Sequence, residues 1–174
     1  MQASGVSPAT GSHAATDGTA ADYAADRARI EDTVGRFVLA LDGRDIDDAV
    51  ACLAPRVRWD YSSVTGQPAT EFDAGALAQR WKSSIVHTDA SQHFLSVPHI
   101  HVTGERAVCK VHAQVTVRLA NRTGSHHQTT FGTYTFELDR GADGWRIASV
   151  KMLLLWNEGN PRIMELAVEK GARQ

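Results

Sequence analysis

His93 opens a strand pattern at Ser91-Gln92-His93-Phe94-Leu95, and histidine is the side chain whose ordinary pKa lets it take and return a proton near neutral pH. It works as a catalyst when one group orients its ring and another waits at its free nitrogen. Two upstream residues could serve: Asp42, at the end of the first helical pattern, and Tyr61, in the first strand pattern. A carboxylate accepting from Nδ1–H would leave Nε2 as a free base and would stabilise the imidazolium once formed. Such a base can remove a proton next to a carbonyl, while Tyr61 could donate to the oxygen on which enolate charge develops. Returning the proton to a leaving hydroxyl gives net loss of water. Returning it to another carbon gives isomerisation, and attack by the enolate on an internal carbonyl closes a ring. Structural roles stand beside these: a hydrogen-bonded strand histidine, an aspartate capping a turn, and a core tyrosine with a bonded hydroxyl.

The elements that must bring these residues together are legible from periodicity. The first 22 residues are rich in Ala, Gly, Ser and Thr and have too little apolar surface to offset their ordering entropy, so a disordered tail is expected there. A single domain is expected over 23–174. Ile30, Val34, Phe37, Val38 and Leu41 fall on one helical stripe ending near Gly43. A shorter helix carries Ile46, Val50 and Leu53, with Asp45, Asp47 and Asp48 in its first turn and Pro55 closing it. Val57 to Tyr61 alternates as a strand, 65–68 reads as a loop, and Asp73 is placed to cap a third helix bearing Leu77 and Trp81. Strand patterns follow over His93–Val102, with Pro98 marking a bulge or edge, then Arg106–Ala120, Gln128–Arg140 and Trp145–Trp156. A short terminal helix or arm is expected over Arg162–Ala172. Helices first and an antiparallel meander afterwards predict an α+β fold, with helices packed on a curved sheet around a pocket.

Composition narrows the partners. The 174 residues are 43% hydrophobic and 22% charged with a formal net charge of −2, an ordinary globular balance with no basic field for nucleic acid or anionic membrane. Neither partner is expected. The two cysteines, Cys52 and Cys109, sit inside apolar patterns without Cys-x-x-Cys spacing, which fits a reducing compartment. With no apolar run of about 18 residues and no leader pattern, a cytoplasmic location is expected. His99-Ile100-His101 and His126-His127 invite a metal reading, but no carboxylate or cysteine stands at familiar ligand spacing. Neither a metal nor a cofactor is expected.

The order of elements, with Leu41-Asp42-Gly43-Arg44-Asp45, Trp59-Asp60-Tyr61-Ser62-Ser63, Ser91-Gln92-His93-Phe94, Gly132-Thr133-Tyr134 and Gly144-Trp145-Arg146-Ile147, resembles the SnoaL-like branch of the nuclear transport factor 2 superfamily. Within it, the likeness is greatest to scytalone dehydratase and hexachlorocyclohexane dehydrochlorinase, and it covers about 24–163. The resemblance implies a cone-shaped α+β barrel, an Asp42–His93 dyad, and Tyr61 polarising a substrate carbonyl through water. The dehydratase has a tyrosine before its dyad aspartate where this chain has Leu41. Its second essential histidine falls on Arg118, with His112 on the same face, and its asparagine falls near Gly132. The family register further implies a pocket lined by Gln114, Thr116 and Arg118 from one strand and by Val150, Met152, Leu154 and Trp156 from the last. Arg118 could assist the developing charge or could be a solvated strand residue. A small hydrophobic carbonyl or hydroxy compound is the implied substrate, with dehydratase-type elimination first and isomerase or polyketide-type cyclase chemistry next. The scaffold also serves as a non-catalytic binding or assembly module, and assembly through the sheets implies a homodimer or homotrimer.

Overall fold

Residues 19–173 are described by a computed structural model, so the first 18 residues of the tail expected over 1–22 lie outside the described residues. The first helix, α1 (Ala20–Gly43), starts inside the expected tail. It begins there because Thr19 and Asp22 form a reciprocal capping box, the Thr19 hydroxyl accepting from Asp22 N and the Asp22 carboxylate accepting from Thr19 N. The apolar stripe read from the sequence is the face that α1 buries: Ile30, Val34, Phe37, Val38 and Leu41 are all in the core. Burying one such side chain is worth about 1.5–3 kcal/mol.

Helix α2 (Ile46–Ala51) stops earlier than expected. Leu53 and Pro55, assigned to the end of that helix from the sequence, instead open strand β1 (Leu53–Asp60). A single turn, α3 (Ser62–Thr65), follows. Strand β2 (Thr70–Asp73) was not expected, since its four residues are too short for a period to show. Asp73 does precede α4 (Ala74–Lys82), but its side chain makes no capping bond and pairs with Arg56 instead.

After a 3-10 turn at Ile85–His87 come β3 (Ala90–Leu95) and β4 (His99–Thr103). These two replace the continuous strand expected over 93–102. Both pair with β5 (Arg106–Arg118), and Pro98, which has no N–H to give a ladder, lies in the gap between them. Strands β6 (His127–Gly141) and β7 (Gly144–Gly159) complete the meander, and α5 (Ile163–Gly171) ends the fold.

The sheet order is β2-β1-β7-β6-β5-β3, with β4 also on β5. All pairings are antiparallel except β1 with β7, which is parallel; between them the chain crosses through α4 from β2 at one end of the sheet order to β3 at the other. The sheet curves without closing, and the N-terminal helices pack on its inner face, giving the α+β cone architecture. Ala107, Cys109, Val111, Tyr134, Phe136, Val150 and Met152 are buried on that face against α1. Leu119, Ile163 and Ala167 form a second, smaller cluster under α5, with Val117 and Leu166 packed against it. Both cysteines are free and buried. No helix among the described residues is long and apolar enough to cross a membrane.

Candidate active site

Asp42 stands in the last turn of α1, and the way that helix ends fixes its position. Arg44 takes a left-handed conformation with φ of 62° and closes the helix through its N–H to Ala40 O and Leu41 O. Its guanidinium then reaches across to Thr88 O at 2.9 Å, tying the helix end to the segment that leads into β3. β3 is the terminal strand of the sheet path, so it presents edge N–H groups that the ladder leaves free. The His93 N–H donates to Asp42 Oδ2 at 2.6 Å, and His93 Nδ1 lies 2.7 Å from Asp42 Oδ1. A carboxylate has no hydrogen to give, so Nδ1 carries it and Nε2 is left as the free nitrogen. The two side chains keep only 11% and 15% of their surface accessible. Burial pushes the Asp42 carboxyl up, but the hydrogen bonds and charge of His93 outweigh it and hold the group below the ordinary aspartate range.

Tyr61 follows β1 at the N-cap of α3, and Asp60-Tyr61-Ser62-Ser63 folds so as to lock it. Asp60 Oδ1 accepts from the Ser62 hydroxyl at 2.6 Å and from Ser62 N at 3.1 Å. The Ser63 hydroxyl donates to Met152 O and accepts from Leu154 N, at 2.6 and 2.9 Å, so a side chain extends the β1–β7 ladder. The Tyr61 ring stacks on Trp59 at 4.9 Å with 6° between planes, and Trp59 in turn meets Trp81 of α4. The Tyr61 hydroxyl is 2.7 Å from that of Tyr134 on β6, and the Tyr134 ring lies 6.3 Å from the His93 ring. Burial pushes the Tyr134 phenol up to about 12 and Tyr61 well above the ordinary 10. Both phenols are therefore neutral donors at physiological pH. Ser91, two residues before His93 on the same strand face, has a buried hydroxyl that helps hold the Asp42 carboxyl down.

The structure thus brings His93, Asp42 and Tyr61 to one side of the sheet. Val150 and Met152 face the same interior, paired with Phe136 and Tyr134, and Leu154 lies opposite Gly132 on that face. Five pocket residues expected from family register do not. His93 pairs with Val115, so the odd-numbered residues of β5 share its face and the even-numbered ones point away. Arg118, His112, Gln114 and Thr116 therefore stand on the outer face of the sheet. Arg118 forms a 3.7 Å ion pair with Asp89 at the rim, and Thr116 meets Thr129 at 3.1 Å. Trp156 is also outside: a bulge between Phe131 and Gly132 pairs Gly132 with Leu154 but Phe131 with Trp156, which changes the parity of β7. There it stacks on Phe131 at 4.4 Å. Sequence reasoning missed Tyr134, Ser91 and the Trp59–Trp81 wall; the signal for Ser91 was its place two residues from His93.

Three surface concavities of about 660, 630 and 450 Å³ lie along α1, α2 and the β6–β7 turn, and none of the three is lined by His93, Asp42 or Tyr61. Among the described residues, no three His, Cys, Asp or Glu side chains are grouped to hold a metal.

Residues 22–151 match the model of the SnoaL-like domain, and the chain belongs to that family. Among curated proteins, none matches the sequence. Solved structures of the same fold include the Kfla4162 protein of Kribbella flavida, at 25% identity and a TM-score of 0.78, over 83% of this chain and 99% of that one. A candidate scytalone dehydratase of Novosphingobium aromaticivorans shares 13% identity with a TM-score of 0.70, over 80% of this chain and 91% of its own. The hexachlorocyclohexane dehydrochlorinase LinA-type3 of Novosphingobium barchaimii shares 15% with a TM-score of 0.65, over 82% and 94%. The SnoaL-like family and the cone fold read from the sequence are those found here.

Proposed function

We propose that the chain is a cofactor-independent lyase of dehydratase type, acting on a small hydrophobic compound that carries a carbonyl and a hydroxyl. The observation that carries this reading is the pair of bonds from one carboxylate to His93, at 2.7 Å to Nδ1 and 2.6 Å to the backbone N–H. The first sets the tautomer and the second fixes the ring's place on the strand. Nε2 removes a proton from the carbon next to the carbonyl; the carbon–oxygen bond to the hydroxyl then breaks, and the imidazolium returns the proton to the departing oxygen as water. Buried phenols beside the base supply neutral hydrogen-bond donors for the enolate oxygen.

The same site permits isomerisation or a polyketide-type ring closure when the proton or the enolate goes elsewhere. A non-catalytic binding module is the second class, favoured by the aromatic filling around the dyad and by concavities that avoid it. Histidine-selective NMR with a panel of aromatic and polycyclic β-hydroxyketones separates the readings. Expected are ligand-dependent shifts at His93, and appearance of conjugated-enone absorbance that falls by about 10²–10⁴-fold in His93→Ala and Asp42→Asn. An unmoved His93, titrating alike in wild type and Asp42→Asn, supports the module instead. Homo-oligomer assembly through the outer sheet face is proposed with the enzyme reading.

A further inference from the structure

We infer that Tyr134, rather than Tyr61, is the catalytic phenol that touches the substrate oxygen, with Tyr61 acting as a positioning residue behind it. The inference rests on the reading of His93 as base. Two phenols 2.7 Å apart hold two hydrogens between them, and the bond they share uses one. The phenol that accepts keeps its own hydrogen for a third group, and accepting a bond polarises that O–H further.

Geometry decides which phenol is in front. Tyr134 is the one in contact with the dyad, its ring 6.3 Å from that of His93, on the inner face opposite Val111 and Met152. Tyr61 packs instead against Trp59 and Tyr134, at the N-cap of α3. An oxygen bound within reach of His93 Nε2 therefore meets Tyr134 first. No proton leaves either phenol in the step: Tyr134 O–H donates to the carbonyl oxygen and holds it more strongly as charge builds.

The chain has three tyrosines, so labelling tyrosine with ¹³C at Cζ gives a spectrum in which each phenol is read separately. The probe is 2-naphthol, whose naphtholate form presents a delocalised oxyanion on a flat apolar body. The Tyr134 signal is expected to move most on titration and that of Tyr61 less. Tyr134→Phe should weaken naphtholate binding by at least about tenfold, the scale of a hydrogen bond to a charged oxygen, and Tyr61→Phe by only a few fold. A Tyr61 signal that moves most, or a Tyr134→Phe variant that binds as wild type does, overturns the assignment. His93 ring ¹⁵N shifts recorded in the same titration separate the two readings. If His93 responds and neither phenol does, the base survives and the Tyr134 assignment falls; if no signal moves, both fall. The wild-type shifts decide the matter even where a Phe variant folds poorly.

Discussion

Asp42 accepts from both the backbone and the ring of His93, so its charge is tied to the fold as well as to any chemistry. Its carboxyl is held below the ordinary value of 3.8 chiefly by His93, against the opposing effect of burial. A group depressed in the folded state contributes stability that is present above the unfolded pKa and lost as pH falls through the folded one. Wild type should therefore lose stability as pH drops below 3.8. Asp42→Asn should be less stable near neutrality by about 1–2 kcal/mol and lack that part of the acid loss; urea unfolding at a series of pH values reads both. At this scale the contact between Asp42 and His93 was legible because each residue carried a local signal, an aspartate at a helix end and a histidine at a strand start. Tyr134 was not, since a tyrosine inside an alternating strand looks like any core aromatic until its hydroxyl partner is seen. Arg118 and its three even-numbered companions were misplaced because an ungapped family register carried them over without the strand's pairing, and a shift by one residue reverses every side chain.

Among the elements, the β6–β7 pair depends most on a single small residue. A Cβ added to Gly132 would lie 2.2 Å from Leu153 O and 2.6 Å from Met152 Cε, and the first of these is backbone that cannot step aside. The bulge beside it sets which residues of β7 face the interior, so Gly132→Ala should destabilise by about 2–3 kcal/mol or more and disturb Met152 and Leu154 together. Thermal unfolding with chemical shifts of the Met152 methyl checks this, and a variant as stable as wild type would show that the strand accommodates the methyl. Helix α1 and the meander were readable from their periods because each exceeds two turns or four alternations. What escaped was short or interrupted: β2, the early end of α2, and the break at Pro98 that splits one pattern into β3 and β4. The bulge left no sequence signal beyond Gly132 itself, which is why Trp156 was assigned to the wrong face.

At the scale of the whole molecule, the outer face of the sheet is left without a cover by the described residues. Phe94, Gln114, Phe131 and Trp156 form a row across four strands, and Phe94, Leu153, Leu155 and Trp156 are 69%, 50%, 57% and 50% exposed. Contiguous exposed apolar surface of that kind marks a site for a partner. Wild type should sediment as a homo-oligomer and Leu153→Glu as a smaller species with its His93 signals unchanged; a monomeric wild type would leave the face to some other occupant. At the opposite extreme, α5 is fastened by a cluster separate from the main core, built on Leu119, Ile163 and Ala167 with Val117 beneath it. Val117 pairs with Ser91, and its neighbour on the same face, Val115, pairs with His93. Lys170 of α5 also pairs with Asp89 at 3.4 Å and Gly171 lies against the His87 ring, so the helix is tied to the segment that leads into β3 as well as to its own small cluster. Amide exchange in α5 is accordingly expected to outpace exchange in β5, β6 and β7, since a cluster of three buried side chains opposes local opening less than the main core does.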